Sequence, residues 1–591
     1  MPRIWGWACL LLLTVLGCQQ DFLRPPSEIF RNDKKRDEEL KTVGGCTSVF
    51  GAESVRVYGV GVVQNLDGTG GTAPPSEWRR QAIHDLKQMG EEHPERILNS
   101  PNVAVVMVSA VIPPGIRKGD SIDIDVECLE KDGTTSLRNG ILLPCNLHEY
   151  GDVNRATGKT DQGARFLAGK KLAVATGPVQ VGVAGKSSAE RQRRGRVWGG
   201  GKASHDRDFG LILDSEHRDA RLAKAMAQKI NERFHTRGRV TLGVAEAKTN
   251  SFITLRVPGQ YKLNWPRYLR VVRQIPLRDS DTNKRQQQQR WSEELIDPAR
   301  TVTASLKLEA IGPESVEDLK RGLASEHSLI RFCAAEALAY LGEPAAAEPL
   351  HQLIEDDPKY RAYGLTALAS LQEQAAVVHL RQLLRSPSAE TRYGAFRALR
   401  AAREQDDAVT GTNYPGGLHV HRVAADSRPM IHLNTLNRAE IVLFGEEPTL
   451  LPPFTLSVGS RFILSAREAE GQCLITSFRS DGEPVRVQTS LRLAEIMEKL
   501  SELGGGYGDV VELLQAAQKV RTLSCPLAID AVPQAPSVYE LALDGVRTGQ
   551  EQAPGQGKDS TGSATVDMGM TPNLFSTPGR VKQASAPSPD E

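Results

Sequence analysis

The residues best suited to chemistry are two histidines and a glycine-rich turn. His419 and His421 lie two positions apart, which places both imidazoles on one face of a strand, where they could share a metal ion. No third ligand lies near them in the sequence, so a surface pair is the favoured interpretation. The turn 68–71 (Gly-Thr-Gly-Gly) could cradle phosphate, but Thr-Ala-Pro-Pro follows it instead of a helix, which favours a tight hairpin.

Motifs of common enzyme classes are missing from the sequence. It contains no GxSxG elbow, no HExxH helix and no CxxC pair. We therefore predict no catalytic residue, no metal site, no cofactor and a non-enzymatic function. Six cysteines follow Cys18, and their pairing stays open, with two local candidates: Cys128 with Cys145, and Cys473 with Cys525.

The charge of the chain is balanced, with 73 Lys and Arg against 72 Asp and Glu in 591 residues. This balance excludes a chain drawn as a whole to nucleic acid, and it excludes an acidic solvating polymer. Only the run from Arg191 to Lys202 is locally basic. It could meet anionic cell-wall polymer or a neighbouring subunit, although a solvated loop is favoured. The length fits roughly three or four domains.

The first residues predict export. Residues 1–17 contain one early charge, Arg3, and then an apolar run too short to span a bilayer, which is typical of a signal peptide. The run ends in Val-Leu-Gly-Cys, which resembles a lipobox and predicts Cys18 as a lipidation site. Gln19 then favours the outer membrane. A plain secretory signal is the alternative, and residues 18–45 are predicted to be a polar tether.

The remainder of the chain changes character several times. Residues 46–204 are strand-rich, with a β-branched run at Val103–Ile112 and an alternating strand after it. Residues 205–280 follow the order strand, helix, strand, strand, helix, which predicts a small α+β unit. Residues 281–312 are predicted to be a linker. Residues 415–535 return to strands with a closing helix pair, and residues 549–591, rich in Gly, Ser, Pro and Gln, are predicted to be disordered.

Residues 313–405 contain a repeat. Arg331, Arg361 and Arg392 each precede an Ala-rich helical segment, 30 and then 31 residues apart, with predicted partner helices between them. This pattern is typical of HEAT-like repeats, which offer a docking surface, here for an unknown partner. The predicted fold class is therefore α+β: a strand-rich core with a small α+β unit, interrupted by an all-α repeat insertion.

Four blocks of sequence, in order along the chain, resemble the flagellar P-ring protein family. The blocks are Val57–Gly71; Asn102–Val126 with Ser136–Pro144; Asp208–Phe234 with Leu255–Pro258; and Leu491–Leu514 with a strand near Pro526–Asp530. The residues that carry the family signature are Gly59, Gly61, Leu66, Asp67, Gly68, Thr69, Gly70, Pro113, Pro114 and Gly119.

This resemblance implies a P-ring-like core and a structural subunit in the periplasm, at the flagellar basal body. Family members close into a ring around the flagellar rod, associate with peptidoglycan and form, with the L-ring, a bushing in which the rod turns. The implied partners are copies of the chain itself, the rod, the L-ring and peptidoglycan. Cys18 would add the outer membrane, and no nucleic acid is expected. Head-to-tail contacts that close by rotation are the required geometry.

Two features depart from the family: the lipobox-like Cys18 and the HEAT-like repeats. The repeats fall between the small α+β unit and the C-terminal strands, and surface loops tolerate long insertions at little entropic cost. A non-flagellar, outer-membrane-anchored lipoprotein adaptor, using the P-ring-like core and the repeats to bind partners, is therefore the alternative function. A cell-wall enzyme is a third and less favoured one.

Overall fold

The computed structural model of the chain describes twelve stretches of sequence. These are residues 42–129, 132–152, 166–182, 188–236, 242–277, 281–403, 405–436, 438–459, 461–468, 471–478, 482–536 and 571–575. The predicted signal peptide, nearly all of the predicted tether and Cys18 lie outside these residues, as does most of the predicted tail. Within them, helices and strands combine into the α+β fold class that the sequence predicted.

Six antiparallel strands form a sheet that closes on itself, the closed sheet. Its order is β4-β3-β2-β5-β6-β8, and β8 pairs back onto β4, while the short β7 adds to β8. A helix, α3 (Ser188–Arg193), precedes β8. The strands are β2 (Val55–Gln64), β3 (Val103–Ile112), β4 (Ser121–Cys128), β5 (Ile141–Asp152), β6 (Phe166–Pro178), β7 (Gln180–Val181) and β8 (Arg194–Ala203).

The closed sheet buries its apolar positions and exposes its charged ones. Along β4, every second residue is buried, as the alternating sequence predicted for a half-exposed strand. Two helices, α1 (Glu77–Gln88) and α2 (Pro94–Leu98), lie between β2 and β3 and cover part of the sheet. Ser76 caps α1 by accepting a hydrogen bond from the Arg79 amide at 3.2 Å.

The small α+β unit has a four-stranded antiparallel sheet in the order β1-β9-β13-β12. Its elements are β1 (Thr47–Phe50), β9 (Phe209–Leu213), α4 (Ala220–Arg233), β12 (Ala245–Ala247), β13 (Phe252–Leu255) and α5 (Trp265–Gln274), with a separate ribbon of β10 (His235–Thr236) and β11 (Leu242–Gly243). The sequence grouped β1 with the strand-rich region, but the structure pairs Thr47 with Leu213 in this unit.

The residues predicted to be a linker, 281–312, instead form two helices. They are α6 (Asp281–Leu295) and α7 (Thr301–Ile311). Ala304, Leu308 and Glu309 of α7 are fully buried. A linker would leave these side chains in water, so this stretch is part of the packed core, and the sequence prediction is corrected here.

Three helix pairs form the repeat block. They are α8 (Val316–Leu323) with α9 (Ser328–Leu341), α10 (Ala347–Asp356) with α11 (Arg361–Leu371), and α12 (Gln374–Leu383) with α13 (Ala389–Ala402). The repeated arginines make the same kind of contact in each pair. Arg331 donates to Ser325 O, Arg361 to Ile354 O and Arg392 to Ser386 O, at 2.8, 3.4 and 2.5 Å. Each guanidinium thus satisfies a carbonyl at or just beyond the end of the preceding helix, where such groups lack helical partners.

The C-terminal region contains two sheets and a helix pair. The first sheet has the order β14-β15-β17-β16-β22 and the second the order β18-β19-β20-β21. The strands are β14 (Gly411–Tyr414), β15 (Leu418–Val423), β16 (Met430–Asn434), β17 (Glu440–Phe444), β18 (Phe454–Val458), β19 (Phe462–Ala466), β20 (Gln472–Ser477), β21 (Val485–Ser490) and β22 (Leu527–Ile529); the helices are α14 (Leu493–Glu502) and α15 (Tyr507–Val520). In the part of the chain described, no helix has the length and apolar character needed to cross a bilayer.

Candidate assembly site

The glycine-rich turn of the sequence forms a loop at the end of β2, the signature loop (residues 65–71). Three of its first four residues, Asn65, Asp67 and Gly68, have φ values of +68°, +47° and +78°. Asn, Asp and Gly are the residue types that adopt this left-handed conformation at least cost. The residue types therefore fit the backbone that the loop requires.

Backbone hydrogen bonds hold the signature loop against the start of β3. They run from Leu66 N to Asn102 O (3.1 Å), Gly70 N to Pro101 O (2.8 Å) and Gly71 N to Val103 O (3.2 Å). A further bond runs from Gly68 N to Asn102 Oδ1 at 2.8 Å. The tight hairpin expected here is not formed, because the loop leads into α1 and packs against a segment more than thirty residues later in the chain.

The opposite side of the loop is held by residues 135–139. The Thr135 amide donates to Thr69 O at 2.9 Å. The Thr69 hydroxyl lies 2.6 Å from Leu66 O and 2.8 Å from Ser136 O, so it links its own turn to the neighbouring segment. Asn139 Nδ2 donates to Asp67 at 3.2 Å. The signature loop is therefore fixed from two sides.

Four glycines of this region leave no space for a side chain. A Cβ at Gly70 would lie 2.4 Å from Val103 O, and one at Gly71 would lie 2.2 Å from Asp132 O. On β2, a Cβ at Gly59 would meet Asn146 O at 2.4 Å, and one at Gly61 would meet Leu142 Cδ1 at 2.6 Å. These glycines are thus required for close backbone approach, whereas nothing lies within 4 Å of the corresponding position at Gly68.

The second predicted motif forms a turn after β3. Gly119 has a φ of +88°, and its amide donates to Ala203 O at 2.8 Å. The Arg207 guanidinium donates to Ile112 O at 3.1 Å and to Pro113 O at 3.3 Å, and Arg117 forms an ion pair with Asp208. The turn containing Pro113, Pro114 and Gly119 therefore joins the closed sheet to the small α+β unit.

The two motifs lie at opposite ends of the same strand pair. Gln64, before the signature loop, pairs with Val103, while Val55 pairs with Ile112, before the second turn. Ten residues of strand separate the two ends by about 30 Å. The structure therefore does not gather the signature residues into one pocket. Their arrangement suits shape and rigidity.

The sequence of residues 43–286 matches a known family. Residues 43–286 match the model of the family described as Flagellar P-ring protein, and this range contains both motifs. Over these residues, the chain is similar to the flagellar P-ring family.

Curated P-ring proteins from distant bacteria resemble the same part of the chain. The protein of Caulobacter vibrioides is 29% identical over 220 residues, 36% of this chain and 54% of that protein. The protein of Shigella dysenteriae serotype 1 is 30% identical over 235 residues (37% and 58%), and that of Thermotoga petrophila 30% over 236 residues (38% and 63%). The chain thus spans between half and two thirds of the length of these relatives. The repeat block lies outside the range matched by the P-ring family model.

Residues 43–286, which match the family model, are called the P-ring-like part below. This part contacts the C-terminal region directly. Arg138 forms an ion pair with Asp509 of α15. Its neighbour in the sequence, Asn139, is the residue that contacts Asp67 of the signature loop. A Cβ at Gly508 would lie 2.0 Å from Val181 O, so α15 touches β7 closely. The predicted closing helix pair, Leu491–Leu514, corresponds to α14 and the first half of α15. Its resemblance to the P-ring family rests on the sequence, because the family model ends at residue 286.

The basic run between residues 191 and 202 faces acidic residues of its own sheet. Arg194 pairs with Glu127 at 2.5 Å and Arg196 with Asp125 at 2.7 Å, across β8 and β4. Arg193 pairs with the buried Asp132 at 3.1 Å. Much of the run's charge is therefore neutralised within the P-ring-like part, and the run forms the end of α3 and most of β8, not a solvated loop.

The two histidines occupy different environments. His419 is half-buried, but His421 is buried, with Nδ1 3.0 Å from Val409 O and Nε2 3.9 Å from Glu440. Burial lowers the pKa of His421, which favours the neutral ring. The expected surface pair is therefore wrong for His421. Among the described residues, no three His, Cys, Asp or Glu side chains are placed to hold a metal ion.

The cysteine candidates are not paired with each other. Cys128 and Cys145 lie on different strands of the closed sheet, and both are buried thiols. Cys473 and Cys525 are likewise buried thiols of the C-terminal region. Burial raises the pKa of the Cys473 thiol to about 12, so this group stays protonated at neutral pH.

The sequence analysis did not predict a buried ionic cluster that lies between the helices α5, α7 and α9. Arg267 of α5 donates to Glu309 of α7 at 2.6 Å and pairs with Glu336 of α9. These side chains are 4%, 0% and 6% exposed. Tyr261 donates to Glu309 at 2.6 Å and stacks on Tyr340 of α9. The one available signal was Glu336, an acidic residue within an Ala-rich stretch predicted to be helical.

Two helices of the repeat block, α11 and α13, contact the C-terminal region. Tyr393 of α13 donates to Glu440 of β17 at 2.6 Å and stacks on His432 of β16 at 3.6 Å between ring centroids. Tyr363 of α11 donates to Pro536 O at 2.7 Å, beyond the last strand. The C-terminal region therefore occupies the surface of the repeat block around Tyr363 and Tyr393.

Proposed function

We propose that the chain is a structural subunit of the flagellar basal-body P-ring. It would oligomerise around the rod in the periplasm, as a bushing for flagellar rotation, and act without catalysis. The observation that carries this proposal is the family match over residues 43–286, which contains both signature motifs. The expected partners are copies of the chain, the rod, the L-ring and peptidoglycan.

The physical properties of the P-ring-like part support a rigid building block. The closed sheet has no unpaired edge between its six main strands, and the signature loop is bonded on two sides. Closing a sheet removes the edges that promote uncontrolled aggregation, so assembly can be directed to specific surfaces. A net charge of +1 avoids strong repulsion between packed copies.

A deletion strain tests the proposal. We expect loss of swimming, and basal bodies without P-rings in electron micrographs, with both restored by the wild-type gene. Normal rings and normal swimming in the deletion strain would overturn the proposal. The matched comparison is complementation with Gly71→Ala, which alters the signature loop, and with Gly259→Ala, where nothing lies within 4 Å of the added methyl.

The inserted repeats favour a second candidate, a non-flagellar lipoprotein adaptor of the envelope. The repeat block lies outside the family match, and Cys18 follows a lipobox-like sequence. A deletion strain with intact flagella but a defective envelope would favour this function. Neighbouring rod and L-ring genes would favour the first.

Lipid anchoring through Cys18 is a separate proposal. Multiple acyl chains at this cysteine would hold the chain stably at the outer membrane. Mass spectrometry of the mature N-terminus should find Cys18 as the first residue, carrying acyl chains. Cys18→Ser should shift the protein from the membrane to the soluble periplasmic fraction. An unmodified start at another residue would exclude the anchor.

A further inference from the structure

Five residues near the end of the chain, Thr571–Phe575, lie in a groove between two parts of the molecule. One wall is the segment that leads into α5, residues 262–265, and the other is formed by α13. These five residues fall inside the stretch predicted to be disordered, residues 549–591. Their position therefore needs an explanation in terms of specific contacts.

The side chain of Asn573 forms two hydrogen bonds with the groove backbone. Its Nδ2 donates to Lys262 O at 2.8 Å, and its Oδ1 accepts from the Trp265 amide at 3.2 Å. The following amide, Leu574 N, donates to Leu263 O at 3.3 Å. An aspartate could not donate to Lys262 O, so the groove distinguishes Asn from its charged analogue.

The next two residues are buried by the groove. Leu574 is 8% exposed and Phe575 is 4% exposed, and both belong to the core cluster that includes the repeat block. The Arg397 guanidinium of α13 lies 5.6 Å from the centre of the Phe575 ring, a cation–π distance. A five-residue segment cannot bury two large side chains by itself, so the groove provides the burial.

The connection to the rest of the chain does not dictate this position. Thirty-four residues separate Pro536 from Thr571, and a chain of that length can extend to roughly 110–120 Å. Many places on the surface lie within that reach. The contacts of residues 571–575, and not the length of the connecting chain, must therefore select the groove.

We propose that this groove is a peptide-binding site for a short Asn-Leu-Phe motif, and that its ligand is the chain's own segment 571–575. The bound segment contacts both the end of the P-ring-like part and the repeat block, so it fastens one to the other. A free peptide with the same motif must compete with the attached one. The inference does not depend on the flagellar function.

Peptide binding to the full chain tests the site. The probe is a fluorescent peptide with the sequence of residues 569–578, followed by anisotropy. The variant Leu574→Ala/Phe575→Ala should empty the groove and bind the peptide. The wild type should bind it at least about tenfold more weakly, because an attached ligand acts at an effective concentration of the order of millimolar. A peptide carrying Asn573→Asp should lose at least about tenfold in affinity for the emptied variant.

Two further variants keep the test decisive. Met568→Ala/Met570→Ala changes two apolar residues that precede the segment in the sequence and, because neither belongs to the Asn-Leu-Phe motif, should behave like the wild type. Asn573→Asp in the full chain keeps the apolar side chains and should also increase peptide binding. Equal peptide affinity for the wild type and both groove-emptying variants would show that the segment does not occupy the groove. Failure of the peptide to bind any folded variant would exclude the site.

Discussion

The closed sheet and the junction with the repeat block are stabilised in different ways. In the closed sheet, glycines bring backbone atoms close together, and the charged residues of β4 and β8 pair at the surface. At the junction, charges and aromatic rings are buried between helices, as with Arg267, Glu309 and Glu336. Surface ion pairs contribute little to stability, whereas a buried charge that loses its partner is costly. The junction should therefore be the more sensitive region to single substitutions of charged residues.

Removing the buried guanidinium should have the largest effect. Arg267→Ala removes the guanidinium that forms ion pairs with both Glu309 and Glu336, at a cost of about 3–5 kcal/mol in the free energy of unfolding. Urea denaturation of the purified chain measures this loss. The matched variant Arg267→Met/Glu309→Gln removes one charge of each sign, leaves Glu336 with the nearby Arg270, and should recover much of the stability. A loss below about 1 kcal/mol for Arg267→Ala would contradict the comparison.

The second junction, between α13 and the C-terminal sheet, should respond to pH. Burial lowers the pKa of His432 from 6.5 to about 4, so the unfolded chain takes up a proton at a higher pH than the folded chain does. Stability should therefore fall between pH 6.5 and pH 4, by about 3 kcal/mol in total, and this contribution should level off below pH 4.

His432→Gln removes that proton uptake and should flatten the pH dependence of thermal unfolding across this range. His84→Gln is the matched control, since His84 is exposed on α1. An unchanged pH profile for His432→Gln would show that this ring does not link folding to pH.

The two regions also differ in what their sequences reveal. The strand Val103–Ile112 was predicted with its observed bounds, because a β-branched run that ends at a proline is a local signal. The glycine-rich signature was also found from a short segment of sequence, although the tight hairpin predicted for it was wrong. The repeat helices followed from their period. These elements predicted the fold class, and the family resemblance predicted the similarity to the P-ring family over residues 43–286.

Long-range contacts could not be predicted in the same way. The closure of the sheet depends on β4 pairing with β8, and β1 finds its partner more than 150 residues later. The helix α6 is rich in Gln and charged residues, and only its tertiary contacts, such as buried Trp291 and Leu295, distinguish it from a linker. His421 is buried by α13 and the neighbouring strands, which no local pattern near it indicates.

In the closed sheet, the strongest expected effect comes from the signature loop. Gly71→Ala places a methyl group 2.2 Å from Asp132 O, and we expect a loss of about 1–3 kcal/mol from the resulting backbone shift. Gly68→Ala meets no neighbour within 4 Å but keeps a φ of +78°, so it should cost about 1 kcal/mol. Thermal unfolding of both variants separates close approach from backbone conformation. Equal losses of stability for the two variants would show that the close contact between Gly71 and Asp132 O is not the reason for a glycine at position 71.

The smallest effect is expected in the surface ladder. Arg194 and Glu127 are 40% and 54% exposed at their side chains, so Arg194→Ala should cost less than about 1 kcal/mol, and 1 M salt should abolish the difference from the wild type. Denaturation at low and high salt measures both quantities. Arg196→Ala is the informative neighbour, because Arg196 also donates to Leu436 O in the C-terminal region and should lose more. If Arg194→Ala lowered the free energy of unfolding as much as Arg267→Ala does, exposed and buried ion pairs would contribute equally to stability. The contrast between the two regions would then not hold.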